Sequence, residues 1–158
     1  MKLSFPLAAA FAAILSLTAC GGGGDAGASP AVVNDPAALT RTDVAIGTGA
    51  EAVAGARVQV NYTGWLYNAA AGDFKGATFG ASEPGKPFTF VVGAVGTNES
   101  AIPGFSQGVQ GMKAGGKRTI VMPSSLAYGA DGVPGHIPGN TGLVFDVELV
   151  KVCGSAAC

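Results

Sequence analysis

Charge is scarce in this 158-residue chain: 12% of its residues are Asp, Glu, Lys or Arg, nine basic against ten acidic, for a formal net charge of −1. No cluster of Lys or Arg offers a counterpart to phosphate backbones, which argues against a nucleic-acid partner. A single histidine, His136, and three cysteines without a Cys-x-x-Cys pair give poor material for a metal centre. Ser124-Ser125 lacks the Gly-x-Ser-x-Gly elbow, and His136 sits in a Gly/Pro-rich stretch with no carboxylate to orient it. Nor is there a Gly-x-x-x-x-Gly-Lys-Ser/Thr loop for nucleotide phosphates. The paired carboxylates Asp146 and Glu148 share one face of a strand pattern and read as its solvated side. Hydrolysis, phosphoryl transfer and metal chemistry therefore find no support, and no cofactor is expected. Glycine is abundant, at 26 residues, but follows no three-residue period, so it marks tight turns rather than a collagen-like repeat.

The longest apolar run, residues 3–17, is too short to span a bilayer comfortably. It follows Met1-Lys2 and ends in small residues, the pattern of a secretory signal. Leu17-Thr18-Ala19-Cys20 resembles the lipobox of bacterial lipoproteins. That resemblance implies a cleaved signal at 1–19 and a lipidated Cys20; an ordinary signal peptide with an incidental cysteine is the alternative. Residues 21–36 are rich in Gly, Ala, Ser and Pro without hydrophobic periodicity and read as a flexible spacer, so 20–38 is taken as anchor and linker. Gly21 lacks the aspartate that resembles an inner-membrane retention signal, which leans toward an outer-membrane anchor facing the periplasm of a Gram-negative bacterium. Cys153 and Cys158, in the tail at 153–158, are then an even pair in a disulfide-permissive compartment; a bridge and two free thiols both remain open.

The remaining stretch, 39–152, is expected to form one domain. Arg57 through Thr63, Lys117 through Met122 and Leu143 through Lys151 alternate polar and apolar residues with period two, the signature of half-buried strands. Shorter strands are expected at residues 42–47 and 88–92, the latter sending Phe88 and Phe90 to one side. Residues 67–77 read as an extended loop or flap. Phe105, Gly108, Val109 and Met112 stand at i, i+3, i+4 and i+7, the stripe of a short helix that Pro103 would open. Residues 123–142 are dense in Gly and Pro and too long for an idle connection. With no strand-helix-strand repeat, the expected class is α+β: an antiparallel sheet of about five strands with one short helix packed on a face.

Aromatic residues recur in every segment: Tyr62, Phe79, Phe88, Phe90, Phe105, Tyr128 and Phe145. They stand within Tyr62-Thr63-Gly64, Gly85-Lys86-Pro87-Phe88-Thr89-Phe90, Gly108-Val109-Gln110-Gly111-Met112-Lys113-Ala114-Gly115, Leu126-Ala127-Tyr128-Gly129-Ala130, Ile137-Pro138 and Leu143-Val144-Phe145-Asp146-Val147-Glu148-Leu149. In this order the segments resemble the FKBP family of peptidyl-prolyl cis-trans isomerases. The resemblance implies a sheet wrapped around one helix and an activity on X-Pro bonds without metal or cofactor. Carried over motif by motif, Tyr62, Phe79, Phe88, Phe105 and Phe145 would line a pocket with Phe105 at its floor. Ala101 and Ile102 would form the rim, the Tyr128 hydroxyl and the Ile102 N–H would donate to substrate carbonyls, and Ile137 would cover the proline ring. Proline-containing peptides and unfolded exported proteins would be the partners, with the membrane reached through the lipid anchor.

Two departures bear on that expectation. The family's usual aspartate after the phenylalanine matched by Phe79 is Gly80 here, which would weaken turnover or macrolide binding unless Asp73 substitutes. The family's tryptophan at the pocket floor is Phe105. A non-catalytic proline-peptide binding or chaperone module is therefore the alternative to an isomerase, and a tethered structural lipoprotein is a third, weaker reading.

Overall fold

The computed structural model describes residues 34–154 and 157–158; the signal segment, Cys20 and most of the spacer lie outside these residues. Six strands, one helix and a 3₁₀ turn follow in the order β1 Thr40–Ala45, β2 Arg57–Tyr67, β3 Lys75–Ala81, β4 Phe88–Val91, α1 Pro103–Val109, β5 Lys117–Met122, the 3₁₀ turn Ser124–Leu126, and β6 Leu143–Gly154. All pairings are antiparallel, in the order β1-β5-β6-β2-β3, and β4 also pairs with β2. One edge of β2 runs the length of β6; the other is shared, with β4 taking Arg57 to Val60 and β3 taking Thr63 to Tyr67.

The alternation expected for β2, β5 and β6 sets the faces. Val58, Val60, Ile120, Met122, Val147 and Leu149 point inward and are buried, while Asn61, Thr63, Lys117 and Thr119 point outward. Each fully buried aliphatic side chain contributes about 1.5–3 kcal/mol relative to exposure, so the inward face supplies most of the driving force. The helix lies against this face through its glycines. A Cβ on Gly108 would stand 2.5 Å from the Ile120 side chain, and one on Gly104 would stand 2.7 Å from Met122 sulfur. The two residues that lower intrinsic helicity are those that let backbone approach sheet. Phe105, Val109 and Met112 complete the buried stripe, although the helix ends at Val109 and Met112 belongs to the turn beyond it.

Arg118 secures the far end of the helix. Its Nη1 donates to the carbonyls of Gly108 (2.8 Å) and Gln110 (3.1 Å), and its Nε donates to Asp43 on β1 (2.7 Å). One nearly buried guanidinium thus occupies carbonyls that a helix C-terminus leaves without partners.

Four expectations are corrected. The sheet has six strands, because part of the expected flap at 67–77 is the start of β3. β2 runs on to Tyr67, beyond the expected end at Thr63, to pair with it. β1 spans Thr40–Ala45 rather than 42–47; its register against β5 ends at Ala45↔Lys117, and Gly47 packs against the Lys113 carbonyl. Asn34, Asp35 and Pro36, assigned to the spacer, belong to the folded unit: the Ser124 N–H and hydroxyl donate to the Asp35 carboxylate at 2.6 and 2.8 Å, and the Gly142 N–H donates to the Asn34 carbonyl at 2.8 Å.

At the other end, Cys153 and Cys158 are joined by a disulfide, with Cα atoms 5.3 Å apart. None of the helices among the described residues is long and apolar enough to cross a membrane.

Candidate active site

At the end of the sheet where β2, β3, β4 and β6 converge on α1, six aromatic rings, five on these elements and Tyr128 on a loop, line a cavity of about 190 Å³. Tyr62 stands at their centre, with ring centroids 5.9 Å from Phe88, 5.7 Å from Phe105 and 5.9 Å from Phe145, all in edge-to-face contact. Phe105 and Phe145 meet at 5.0 Å and Phe79 and Phe145 at 5.5 Å, again edge to face. These are the separations and angles at which the ring quadrupoles attract, so the walls hold one another in place. Phe88 stacks on the fully buried Phe90 at 5.5 Å, both on one side of β4 as the alternation implied.

The backbone behind the rings is chosen for closeness. Gly64 faces Phe79 and Phe145 so tightly that a Cβ would stand 2.6 Å from one ring and 2.9 Å from the other. At the same end of the β2–β3 pair, Ser82 Oγ accepts from the Tyr62 N–H at 3.0 Å, fixing the start of the β3–β4 turn.

Every described residue lining the cavity is uncharged: Ser100, Ala101, Ile102 and Tyr128 complete it. Two donors stand unused on the rim. The Ile102 carbonyl accepts from the Phe105 and Ser106 N–H groups, but its own N–H, just ahead of the helix, donates to no described group. The Tyr128 hydroxyl, on a side chain 40% exposed, likewise has no partner among the described residues. Burial, and secondly the neighbouring Tyr62 phenol, push Tyr128 above the usual phenol value of 10.0, so it stays a protonated donor throughout the neutral range. The loop carrying it is folded back by Gly129 N–H to Ser124 carbonyl (2.8 Å) and Asn140 N–H to Gly129 carbonyl (2.8 Å).

Eight of the nine residues expected at the pocket meet here: Tyr62, Phe79, Phe88, Ala101, Ile102, Phe105, Tyr128 and Phe145. Ile137 does not line it. It is 5% exposed, bridged to Val133, and packs into the core beneath the loop. Ser100 lines the cavity without having been singled out, since a serine in a polar loop carries no periodic signal. Asp73 lies in the β2–β3 hairpin, where its carboxylate accepts from the Lys75 N–H at 3.2 Å, and it does not reach the cavity. The Tyr62 hydroxyl is correspondingly without a described partner. Nothing stands within 4 Å of where a Cβ on Gly80 would be, so the position is open.

A larger depression, about 470 Å³, lies on the outward face among Asn61, Thr63, Lys117, Thr119, Asp146 and Glu148. Its carboxylates are already engaged, Asp146 by Lys75 Nζ (2.7 Å) and the Thr119 hydroxyl (2.8 Å), Glu148 by Lys117 at 3.7 Å. Asp146 and Glu148 thus lie on the solvated face, as expected of them. No group of three or more metal-binding side chains occurs among the described residues.

The match of residues 49–150 to the family model for FKBP-type peptidyl-prolyl cis-trans isomerase decides the family. The chain belongs to the FKBP-type isomerase family. An FK506-binding protein of Neisseria meningitidis serogroup B is 43% identical over 111 residues, covering 70% of this chain and 92% of that one. Longer relatives also match: the chain spans 20–30% of the length of the proteins called FK506-binding protein 4 from Emericella nidulans, Rhizopus delemar and Dictyostelium discoideum, at 40–44% identity. Among solved structures, a peptidyl-prolyl cis-trans isomerase from Pseudomonas syringae superposes with a TM-score of 0.59 at 34% identity, covering 79% of this chain and 83% of that one. FkpA from Escherichia coli superposes at 0.61 and 38%, covering 75% and 49%. The FKBP fold is thereby shared with crystal structures as well as with the sequence family.

Proposed function

We propose that this FKBP-type protein catalyses cis-trans isomerisation of X-Pro bonds in exported proteins, held at a membrane by a lipid on Cys20. The observation that carries the catalytic reading is an uncharged aromatic cavity with two unused donors, Ile102 N–H and Tyr128 O–H, on its rim. The barrier to rotating a peptide bond, about 18–20 kcal/mol, arises from amide resonance. A planar amide carries more charge separation than a twisted one, so a water-poor aromatic wall disfavours the planar state relative to the transition state. Tyr62, Phe79, Phe105 and Phe145 would form that wall and Phe88 and Ala101 would flank the bound peptide. The donors would hold its carbonyls while the bond between them turns. Neither nucleophile nor metal enters this scheme.

A second reading rests on one observation: the Tyr62 hydroxyl has no carboxylate partner among the described residues, and Gly80 stands at the position matched to the family's aspartate. Under it the protein binds proline peptides and shields them without much acceleration, and macrolides bind weakly. Exchange spectroscopy on a proline tetrapeptide separates the two. Isomerisation by the native protein well above the uncatalysed rate supports the first reading; line shifts without faster exchange support the second. Export and anchoring rest on the signal pattern of residues 1–20 and are tested by labelling with a fatty-acid probe. Label lost in Cys20→Ser supports the anchor, and label retained in that variant contradicts it.

A further inference from the structure

The proline cavity accounts for one side of the segment 100–102. On its other side lies a second depression of about 400 Å³, walled by Gly93, Ala94, Val95 and Gly96 from the β4–α1 loop and by Ile102, Pro103, Ser106 and Gln107 from the start of the helix. Ser100, Ala101 and Ile102 line both cavities. We propose that this depression is a specificity subsite, which receives an apolar side chain of the substrate two residues away from the proline. This rests on the reading above that the aromatic cavity takes the proline ring.

Three features support the assignment. The first is chemical: none of the described residues lining the depression is charged, and Val95, at its lip, is 83% exposed. The second is rigidity. The Val91 N–H donates to the Glu99 carbonyl (2.9 Å), the Gly93 N–H to the buried Ser106 hydroxyl (2.7 Å) and the Ser100 hydroxyl to the Thr97 carbonyl (2.6 Å). The Glu99 carboxylate pairs with Arg57 of β2 at 2.6 Å. A loop tied to β4, to the helix and to β2 holds its cavity open, and Gly93 and Gly96, at φ of 81° and 69°, supply the left-handed turns that shape it. The third is continuity. In an extended peptide, residues i and i+2 face the same side about 6.6 Å apart. With the proline seated among the rings and the chain crossing the Ala101–Ile102 rim, the side chain two places along faces the second depression.

The test uses the native protein and two sets of pentapeptides, with Leu, Ala or Glu placed two residues before or two residues after a single proline. Both Kd and kcat/KM are measured, so that loss of turnover alone speaks against catalysis and leaves the subsite judged by Kd. The expected result is a preference for Leu over Ala of about tenfold at one of the two positions, with Glu weaker than Ala. Val95→Glu, an exposed change at a residue that does not line the aromatic cavity, should cut that preference to about twofold or less. Amide resonances of Gly93, Val95 and Gln107 should move with the Leu peptide only. Equal affinity for Leu and Ala at both positions, a preference untouched by Val95→Glu, or shifts confined to the aromatic cavity would overturn the proposal.

Discussion

Under the isomerase function proposed above, a carboxylate introduced at position 80 should speed X-Pro exchange. Gly80 sits on β3 opposite Gly64, and no atom lies within 4 Å of the position its Cβ would take, so Gly80→Asp meets no steric obstacle. Next to it, Phe79 lines the cavity whose central ring, Tyr62, has a hydroxyl without a described partner. A hydrogen bond from that hydroxyl to a carboxylate contributes about 1.5–3 kcal/mol when it forms. If the orientation is used in the transition state, each 1.36 kcal/mol is tenfold in rate, so kcat/KM should rise about 10- to 100-fold. Neither glycine nor aspartate favours a strand, so the backbone part of the stability change should stay below about 1 kcal/mol. Protease-free exchange kinetics on a proline tetrapeptide, with urea denaturation of both proteins as control, measure the two quantities. A variant equally stable and equally fast would refute the view that the uncharged polar side of the pocket limits the native protein.

Tyr128→Phe removes a donor that bonds nothing else described, so kcat/KM should fall about fivefold with stability unchanged, read by the same exchange assay and a thermal melt. Gly64→Ala drives a methyl against Phe79 and Phe145; it should cost about 1–3 kcal/mol in urea denaturation and weaken peptide binding as the rings shift into the cavity. Arg118→Met strips partners from the Gly108 and Gln110 carbonyls and from Asp43, and should cost about 2–3 kcal/mol. The pH dependence follows from the same contact. The hydrogen bond from Arg118, helped by its charge, holds the Asp43 carboxyl below its ordinary value of 3.8 despite some opposing desolvation. Its contribution is therefore present above that value and lost as pH falls through the depressed one. Asp43→Asn should flatten the stability profile below about pH 4 in acid titrations followed by circular dichroism.

What could be read from the chain followed from periodicity and from ordered motifs. β2, β5 and β6 alternate because one face is core and one is solvent, and the buried stripe of Phe105, Val109 and Met112 survives the glycines at Gly104, Gly108 and Gly111. Those glycines lower helix propensity, but Gly104 and Gly108 are buried against Met122 and Ile120, so packing decides where propensity argues the other way. β3 was hidden for the complementary reason. Its sequence, KGATFGA, is half-exposed or exposed at every residue, so neither face leaves an apolar alternation. Ladder bonds to β2 make it a strand.

The six aromatic residues that line the cavity could be named because aromatic identity and order survive without coordinates, and Ala101 and Ile102 because they directly precede the helix start at Pro103. Ile137 packs into the core beneath its loop, in the cluster that holds Phe105 and Phe145, and a Gly/Pro-rich loop has no register from which to infer that direction. The clasp of Asp35 on Ser124 spans 89 positions and joins two segments without any repeating pattern. The second depression depends on how residues 93–100 fold back over the helix start, which composition does not encode.

Refolding of a substrate protein limited by a single trans-to-cis proline step tests the central claim most directly. Uncatalysed, that step takes tens of seconds at 25 °C. With the native protein at catalytic concentration, the slow phase should accelerate in proportion to the amount added, and Phe105→Ala, which opens the floor of the cavity, should abolish most of the gain. A slow phase that keeps its uncatalysed rate while the protein demonstrably binds proline peptides would contradict the account.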